Sequence, residues 1–315
     1  MFRKGLAFIN RIYSKISESR GDNARMLLRI RSEQRKILSG QYSFVSMEDA
    51  VLWTCDWIRK LPESFDIIVG IPRSGLIIAS IIAVKLGKPL ATPEMVYEKN
   101  VWMSSHCMPG PSFNSFLLIE DSTVQGLTLD KVRNDLRLRF PDAKITCGSL
   151  IVTDASFRKV DLFYKRTNGP IAFEWGIMHL RPAPKVAMDL DGVLCENCPE
   201  GVDSDDSKYD QWVNEARPFL IPGYEIDFVV TNRLEKYRPQ TETWLKKHGV
   251  KYRALLMWDL PDKKLRTGKH AEHKVEMVTK ARPDILLESS ENEALEVWRR
   301  TGIPTICIDS MTIFS

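Results

Sequence analysis

Phe116-Leu-Leu-Ile-Glu-Asp-Ser-Thr-Val-Gln-Gly-Leu-Thr128 is the stretch on which the fold turns. Four apolar residues, 116–119, predict a buried strand. Glu120 and Asp121 follow at once, then a run of small and hydroxyl residues around Gly126 that closes on Thr128. From 129 to 138 apolar residues return at helical spacing. The acids and the loop therefore sit where a parallel strand ends and a helix begins, the place where open α/β sheets bind ligands. Loop amides and a helix N-terminus there face an incoming phosphate. Two acids beside such a cradle suit a ligand with vicinal hydroxyls next to its phosphate, such as ribose 5-phosphate. A plain strand, turn and helix with a solvated acidic end has the same local pattern.

Upstream, Phe65-Asp-Ile-Ile-Val-Gly-Ile-Pro-Arg-Ser-Gly-Leu76 repeats the design. Residues 67–71 predict a buried strand and 76–86 a helix. Between them Pro72, Arg73, Ser74 and Gly75 make a tight turn whose successive amides form an anion nest or a simple connector. Together the two pieces resemble type I phosphoribosyltransferases. The downstream stretch resembles that family's signature for phosphoribosyl pyrophosphate (PRPP), and the upstream turn resembles its pyrophosphate loop. The two lie about fifty residues apart, in the family's order. The resemblance implies that Glu120 and Asp121 hold the ribose hydroxyls. It implies that Ser122, Thr123, Gln125, Gly126 and Thr128 hold the 5-phosphate, with Gln125 standing where Thr or Ser is usual. Residues 88–115 then correspond to a mobile flap, with Tyr97, Glu98, Lys99 and His106 as candidate substrate contacts. A closing flap would exclude water from an activated sugar. Residues 145–152 predict a further strand, and Phe173-Glu174-Trp175 is either core or an acceptor-pocket lining.

A second signature begins after the Pro-rich segment 181–184, a candidate hinge. Lys185-Val-Ala-Met-Asp-Leu-Asp-Gly-Val-Leu194 is a strand followed by two acids and a glycine turn. It resembles motif one of the haloacid dehalogenase-like phosphatases. Phe228-Val-Val-Thr-Asn-Arg233 resembles motif two, Lys274 the motif-three lysine, and Ile285-Leu-Leu-Glu288 motif four. The resemblance implies Asp189 as nucleophile and Asp191 as the acid that protonates the leaving alkoxide and then activates water. Thr231, Asn232 and Lys274 bind the phosphoryl oxygens. Mg2+ is held by Asp189, the Asp191 main-chain carbonyl and Glu288. Ser289 and Ser290 stand where many members carry a second acid, with Asn292 as a possible helper. Lys269 and Lys280 are alternatives to Lys274. The roughly 35 residues between motifs one and two leave no room for a full cap domain, and an open site admits a bulky substrate. Cys195 and Cys198 form a Cys-x-x-Cys without the nearby second Cys or His pair that a structural zinc needs.

With 315 residues and 27% charged side chains, the chain reads as two soluble α/β domains of ordinary size. The expected architecture is two Rossmann-like domains: a type I phosphoribosyltransferase fold over 41–182 and a haloacid dehalogenase-like fold with minimal cap over 183–315. A basic helical segment, 1–40, precedes them. Residues 1–36 carry ten basic against three acidic side chains, a balance of +7 that leaves −3 for the rest. A chain so divided is not a general nucleic-acid binder. Residues 1–20 have amphipathic helical spacing, which suits packing on their own domain, an anionic membrane or a protein partner. Scattered cysteines fit a reducing cytoplasm.

The two signatures imply a bifunctional enzyme. It would transfer 5-phosphoribosyl from PRPP and then remove the 5-phosphate, as in bacterial ribofuranosylation of polysaccharides. The implied acceptor is a glycan, with a lipid-linked one at the inner membrane face as one form. A nucleobase phosphoribosyltransferase fused to a nucleotide phosphatase is the alternative, and a nucleotide-sensing regulator is a third. Homo-oligomerisation stays open.

Overall fold

A computed structural model of the chain describes residues 43–61, 65–98, 100–103, 106–109, 113–204, 206–261, 263–266 and 268–315, with backbone alone at 100–103, 106–109, 204, 263 and 264. The basic segment 1–40, Lys99 and the side chain of His106 lie outside what it describes. The described residues form two units, Ser43–Ile177 and Met178–Ser315. Arg181, in the expected hinge, is tied into the second unit. Its guanidinium donates to the carbonyls of Ala183, Pro184 and Glu225 and pairs with Asp227.

The first unit runs β1 (Ser43–Val45), α1 (Met47–Ile58), β2 (Ile67–Gly70), α2 (Gly75–Leu86), β3 (Leu90–Ala91), α3 (Pro93–Tyr97), β4 (Asn100–Met103), β5 (His106–Pro109), β6 (Ser115–Thr123), α4 (Leu127–Arg139), β7 (Lys144–Thr153), β8 (Leu162–Thr167) and β9 (Ile171–Phe173). Seven strands form one sheet in the order β5-β4-β3-β2-β6-β7-β8. Pairing is parallel from β3 through β8, and the β4–β5 hairpin adds antiparallel edge strands. α1 starts where the sequence predicts: Ser46 caps it in a reciprocal capping box with Asp49.

Both faces of this sheet are covered, so its central strands are continuous apolar runs. Leu117 and Ile119 of β6 pack with Trp57, Ile78 and Ile82 from α1 and α2. Phe116 and Leu118 pack on the other face with Leu129 and Leu136 of α4. The expected strand 116–119 continues to Thr123, because Glu120, Ser122 and Thr123 pair with Ser149, Ile151 and Val152 of β7. Tertiary pairing thus overrides polar composition.

The second unit runs β10 (Val186–Asp189), α5 (Asp206–Glu215), β11 (Ile226–Leu234), α6 (Arg238–Lys247), β12 (Tyr252–Trp258), α7 (His270–Ala281), β13 (Ile285–Glu288), α8 (Glu291–Thr301), β14 (Thr305–Cys307) and β15 (Thr312–Phe314). Its six strands lie in the order β12-β11-β10-β13-β14-β15, all parallel except β15. β10 is flanked by β11 and β13, with Met188 level with Val229 on one side and Leu287 on the other. The C-terminal ends of three adjacent strands are thereby brought together. Between β10 and β11 the described residues hold one helix, α5, and a short turn at Val202–Ser204. Both units are mixed α/β structures built on largely parallel sheets. No helix among the described residues is long and apolar enough to cross a membrane.

Candidate functional site

In the first unit the strand period separates the two acids. Asp121 shares the face of Leu117 and Ile119, while Glu120 shares the face of Phe116 and Leu118. Glu120 lines a cavity of about 320 Å³ together with Ser122, Val124, Gln125, Gly126, Leu127 and Thr128. Asp121 and Thr123 are buried beside it and do not line it. Gly126 takes φ 75°, the left-handed conformation that lets the loop turn into α4. Lys159 sits beneath that turn, its Nζ donating to the Gln125 carbonyl at 2.6 Å. Thr153 Oγ1 donates to the Val124 carbonyl at 2.9 Å, and Ser156 Oγ donates to the Thr123 carbonyl. With its carbonyls tied back, the loop keeps its amides and the N-terminus of α4 for an anion.

Burial pushes the Glu120 carboxyl up from its ordinary 4.5 to about 7, against a 3.2 Å bond from Thr123 Oγ1. Burial also raises Asp121. The neighbouring Ser74 hydroxyl and bonds from the Ser122 amide (2.8 Å) and Trp175 Nε1 (3.3 Å) pull it back. Ser74 belongs to the upstream turn, so the two loops meet beside Asp121. Gly75 makes the join possible: a Cβ there would come within 2.7 Å of the Ile119 carbonyl. Arg73 is exposed.

Trp175 stacks on Phe173 at 4.6 Å, and Glu174 accepts from the Met47 amide at 2.6 Å. The 173–175 segment is therefore core that also grips Asp121. Of the expected flap contacts, Tyr97 is half-buried under the Arg139 guanidinium at 4.4 Å and Glu98 is exposed.

In the second unit the carboxylates meet a cation. Lys274 Nζ lies 2.7 Å from Asp189 Oδ1, 2.7 Å from Glu288 Oε2 and 3.7 Å from Glu293 Oε2. The Lys274–Glu288 approach is an ion pair without the alignment of a hydrogen bond. All three of Asp189, Lys274 and Glu288 are buried. Burial and then Glu288 push the Asp189 carboxyl well up, against Lys274. Burial opposes the charge on Lys274, but Asp189 and Glu288 outweigh it and hold the ammonium protonated. Lys274 lies on the second turn of α7, whereas Lys269 and Lys280 are exposed.

Thr231 is fully buried at the bulged end of β11, its hydroxyl accepting from the Arg233 amide at 3.2 Å. Asn232 donates to Glu293 at 3.0 Å, and its Oδ1 meets His273 Nδ1 at 3.0 Å. Burial, then Lys274, lowers His273 to about 4. Asp191 is held by Arg233, with Nη2 at 2.6 Å from Oδ1. Its main-chain carbonyl accepts from Ser289 Oγ at 3.1 Å. Cys195 and Cys198 are free thiols; Cys195 bonds Asp191 Oδ1 at 3.2 Å, and Cys198 bonds the Pro199 carbonyl.

Among the described residues no group of three or more His, Cys, Asp and Glu has the geometry of a metal site. Asp189 and Glu288 nevertheless converge on one point, which Lys274 Nζ holds. An all-oxygen set of this kind suits a hard cation such as Mg2+. Three contributors escape the sequence pattern: Trp175, Arg233 and Glu293. None of the three is announced by strand alternation, since β11 shifts register between Val230 and Leu234 and the contacts of Trp175 and Glu293 are long-range. Asn292 is exposed, and Glu293 is the third acid at the site.

No protein-family model matches the chain, and no curated protein sequence matches it. Solved structures that it resembles include a purine phosphoribosyltransferase from Pyrococcus horikoshii Ot3, at 20% identity and TM-score 0.34, covering 43% of this chain and 94% of that one. A xanthine-guanine-hypoxanthine phosphoribosyltransferase from Helicobacter pylori matches at 16% identity and TM-score 0.33, covering 42% and 92%. An orotate phosphoribosyltransferase from Aeropyrum pernix matches at 18% identity and TM-score 0.27, covering 38% and 70%.

Proposed function

We propose that the chain transfers a 5-phosphoribosyl group from PRPP at the first site and hydrolyses a phosphoryl group through Asp189 at the second. The observation that carries the first half is the join between two loops. Gly75 of the Pro72–Gly75 turn lies against the end of β6, where a Cβ would come within 2.7 Å of the Ile119 carbonyl and 3.2 Å of Glu120 Cα, and Glu120 lines the loop cavity. PRPP carries a phosphate at one end, a pyrophosphate at the other and hydroxyls between. Two anion-binding loops with acids between them match that order. As pyrophosphate leaves C1 with the bonding pair, positive charge develops on the ring. The Glu120 carboxylate, on the cavity wall, is suited to stabilise it.

At the second site Asp189 Oδ attacks phosphorus, and the phosphorus–oxygen bond to the carrier breaks with its electron pair on the carrier oxygen, which takes up a proton. Water then displaces Asp189 from the aspartyl phosphate to give orthophosphate and the free carboxylate. Lys274 neutralises charge beside Asp189, while Thr231 and Asn232 offer donors to the phosphoryl oxygens. Mg2+, when bound, would neutralise phosphoryl charge further, held by Asp189, Glu288 and the Asp191 carbonyl, with Glu293 alongside.

We assign a glycan hydroxyl as the acceptor and, on the sequence reading, the 5-phosphate of the ribosylated product as the group removed. The single helix between β10 and β11 leaves the second site open to a bulky phosphate carrier. The +7 balance of residues 1–36 suits an anionic surface where lipid-linked glycan would be met. The test follows pyrophosphate release from PRPP and product mass with lipid-linked oligosaccharide or nucleobases as acceptor. Release with the oligosaccharide is expected. Release with nucleobases alone would make this a nucleobase enzyme. No release together with tight nucleotide binding would make the first unit a sensor.

A further inference from the structure

One short segment holds the loop after β6 from behind. Ser156 Oγ donates to the Thr123 carbonyl, Thr153 Oγ1 to the Val124 carbonyl at 2.9 Å, and Lys159 Nζ to the Gln125 carbonyl at 2.6 Å. Three successive loop carbonyls thus meet three side chains from residues 153–159, at and just after the end of β7. The described lining of the cavity includes none of those three residues. In a trans peptide the carbonyl and the following N–H point in opposite directions. The amides of Val124, Gln125 and Gly126 are therefore turned away from the segment, and these are residues that line the cavity.

The segment is itself braced. The Thr153 amide donates to Ser156 Oγ at 3.1 Å, and the Lys159 amide donates to the Ser156 carbonyl at 2.8 Å. From α4, Arg133 Nη2 donates to the Lys159 carbonyl at 2.9 Å, and Asp130 Oδ2 lies 3.9 Å from Lys159 Nζ. Loop, segment and helix close into a ring of contacts with no room for a side chain at 126, where a Cβ would lie 2.8 Å from Lys159 Cδ. That glycine is why the bracing matters. Glycine turns freely, so the Gln125–Gly126 peptide is the one in the loop most prone to flip. A flip would replace its N–H with a carbonyl oxygen, which repels an anion. Lys159 holds that same carbonyl, and its half-exposed ammonium adds positive potential behind the loop.

We propose that Thr153, Ser156 and Lys159 are positioning residues for the 5-phosphate of PRPP: they fix three successive loop amides toward it and touch no ligand themselves. This rests on the reading of the first site as a PRPP site and deepens it. Affinity for a phosphate monoester is thereby set by side chains outside the stretch 116–128, on the far side of the loop from the ligand.

The test follows the amide NMR signals of Val124, Gln125 and Gly126 in the 15N-labelled full chain during titration with ribose 5-phosphate. Those signals read the loop alone, whatever binds at the second unit. In the wild type the three are expected to move together and give one Kd. Thr153→Val keeps the side-chain shape and loses the hydroxyl, and should raise that Kd about fivefold. Thr153→Ser keeps the hydroxyl and should bring it back to within about twofold of wild type. Lys159→Met loses a charge-assisted bond and should raise the Kd roughly 10–30-fold. An unchanged Kd in both folded variants, or Thr153→Ser binding as weakly as Thr153→Val, would overturn the proposal and leave the PRPP reading standing. Signals that stay still in the wild type would remove both. Should Lys159→Met fail to fold, the Thr153 pair decides alone.

Discussion

Both units put acids at the C-terminal ends of parallel strands, yet they treat the charge in opposite ways. In the first, Glu120 and Asp121 point to opposite faces of β6, and the described lining of the cavity contains no Lys or Arg. Hydroxyls and amides line the loop there, and burial raises the Glu120 carboxyl to about 7. In the second, Asp189, Glu288 and Glu293 gather around one buried ammonium, and Asp191 is matched with a buried guanidinium. Lys159 sits beneath that loop rather than on its lining, bonded to the Gln125 carbonyl at 2.6 Å. A site with a buried Lys can hold a phosphoryl group while a covalent bond forms to it. The same topological position thus carries two arrangements of charge, and residues on the neighbouring strands and helices decide which.

The sharpest way to break this contrast is Asp189→Asn. It should cut orthophosphate release at the second site by roughly 10⁴-fold or more, while pyrophosphate release from PRPP continues. Loss of both activities would show that the two sites are not independent. Next comes Lys274→Met, which leaves Asp189 and Glu288 facing each other without a cation. Urea unfolding should show a loss of about 3–5 kcal/mol, larger at pH 8 than at pH 5 because Asp189, whose carboxyl burial pushes up, can then no longer shelter as the acid. A loss confined to activity would mean that the cluster does not support the fold.

A smaller effect of opposite sign is expected at the first site. Glu120 rises from 4.5 to about 7 on folding. Below pH 4.5 it is protonated in both states and costs nothing. As pH climbs through 7 the unfolded chain ionises more readily, and the stability associated with the neutral carboxyl is lost. Glu120→Gln should therefore stabilise the chain by about 1–3 kcal/mol at pH 8 and leave it unchanged at pH 4. Equal effects at both values would place Glu120 in open solvent. The smallest change is Ser74→Ala, which removes the hydroxyl that favours the ionised Asp121. A cost of about 1 kcal/mol should appear as a several-fold higher KM for PRPP, with no change at the second site.

Much of this was legible in the chain because it is local. Apolar runs that stop at an acid mark strand ends, and Asp189, Thr231 and Glu288 come level in space because β11, β10 and β13 are neighbours in register. Lys274 could be picked from three lysines by its spacing before β13. What stayed hidden depends on distant partners. β6 outruns its apolar core because β7 pairs with it, and Trp175 reaches Asp121 across 54 positions of sequence. The grip of Arg233 on Asp191 spans 42 positions, and no periodicity announces it. The split of Glu120 from Asp121 was implicit in strand alternation, but only if the strand was known to continue past Ile119.

Ser289 carries a consequence for protein engineering. Gly192 turns with φ 88°, and a Cβ there would lie 2.4 Å from Ser289 Oγ. The serine hydroxyl is also donated to the Asp191 carbonyl. Grafting an aspartate at 289 would set a carboxylate oxygen against that carbonyl oxygen in a space with no slack. The two positions are a matched set, and a redesign of either would have to rebuild both.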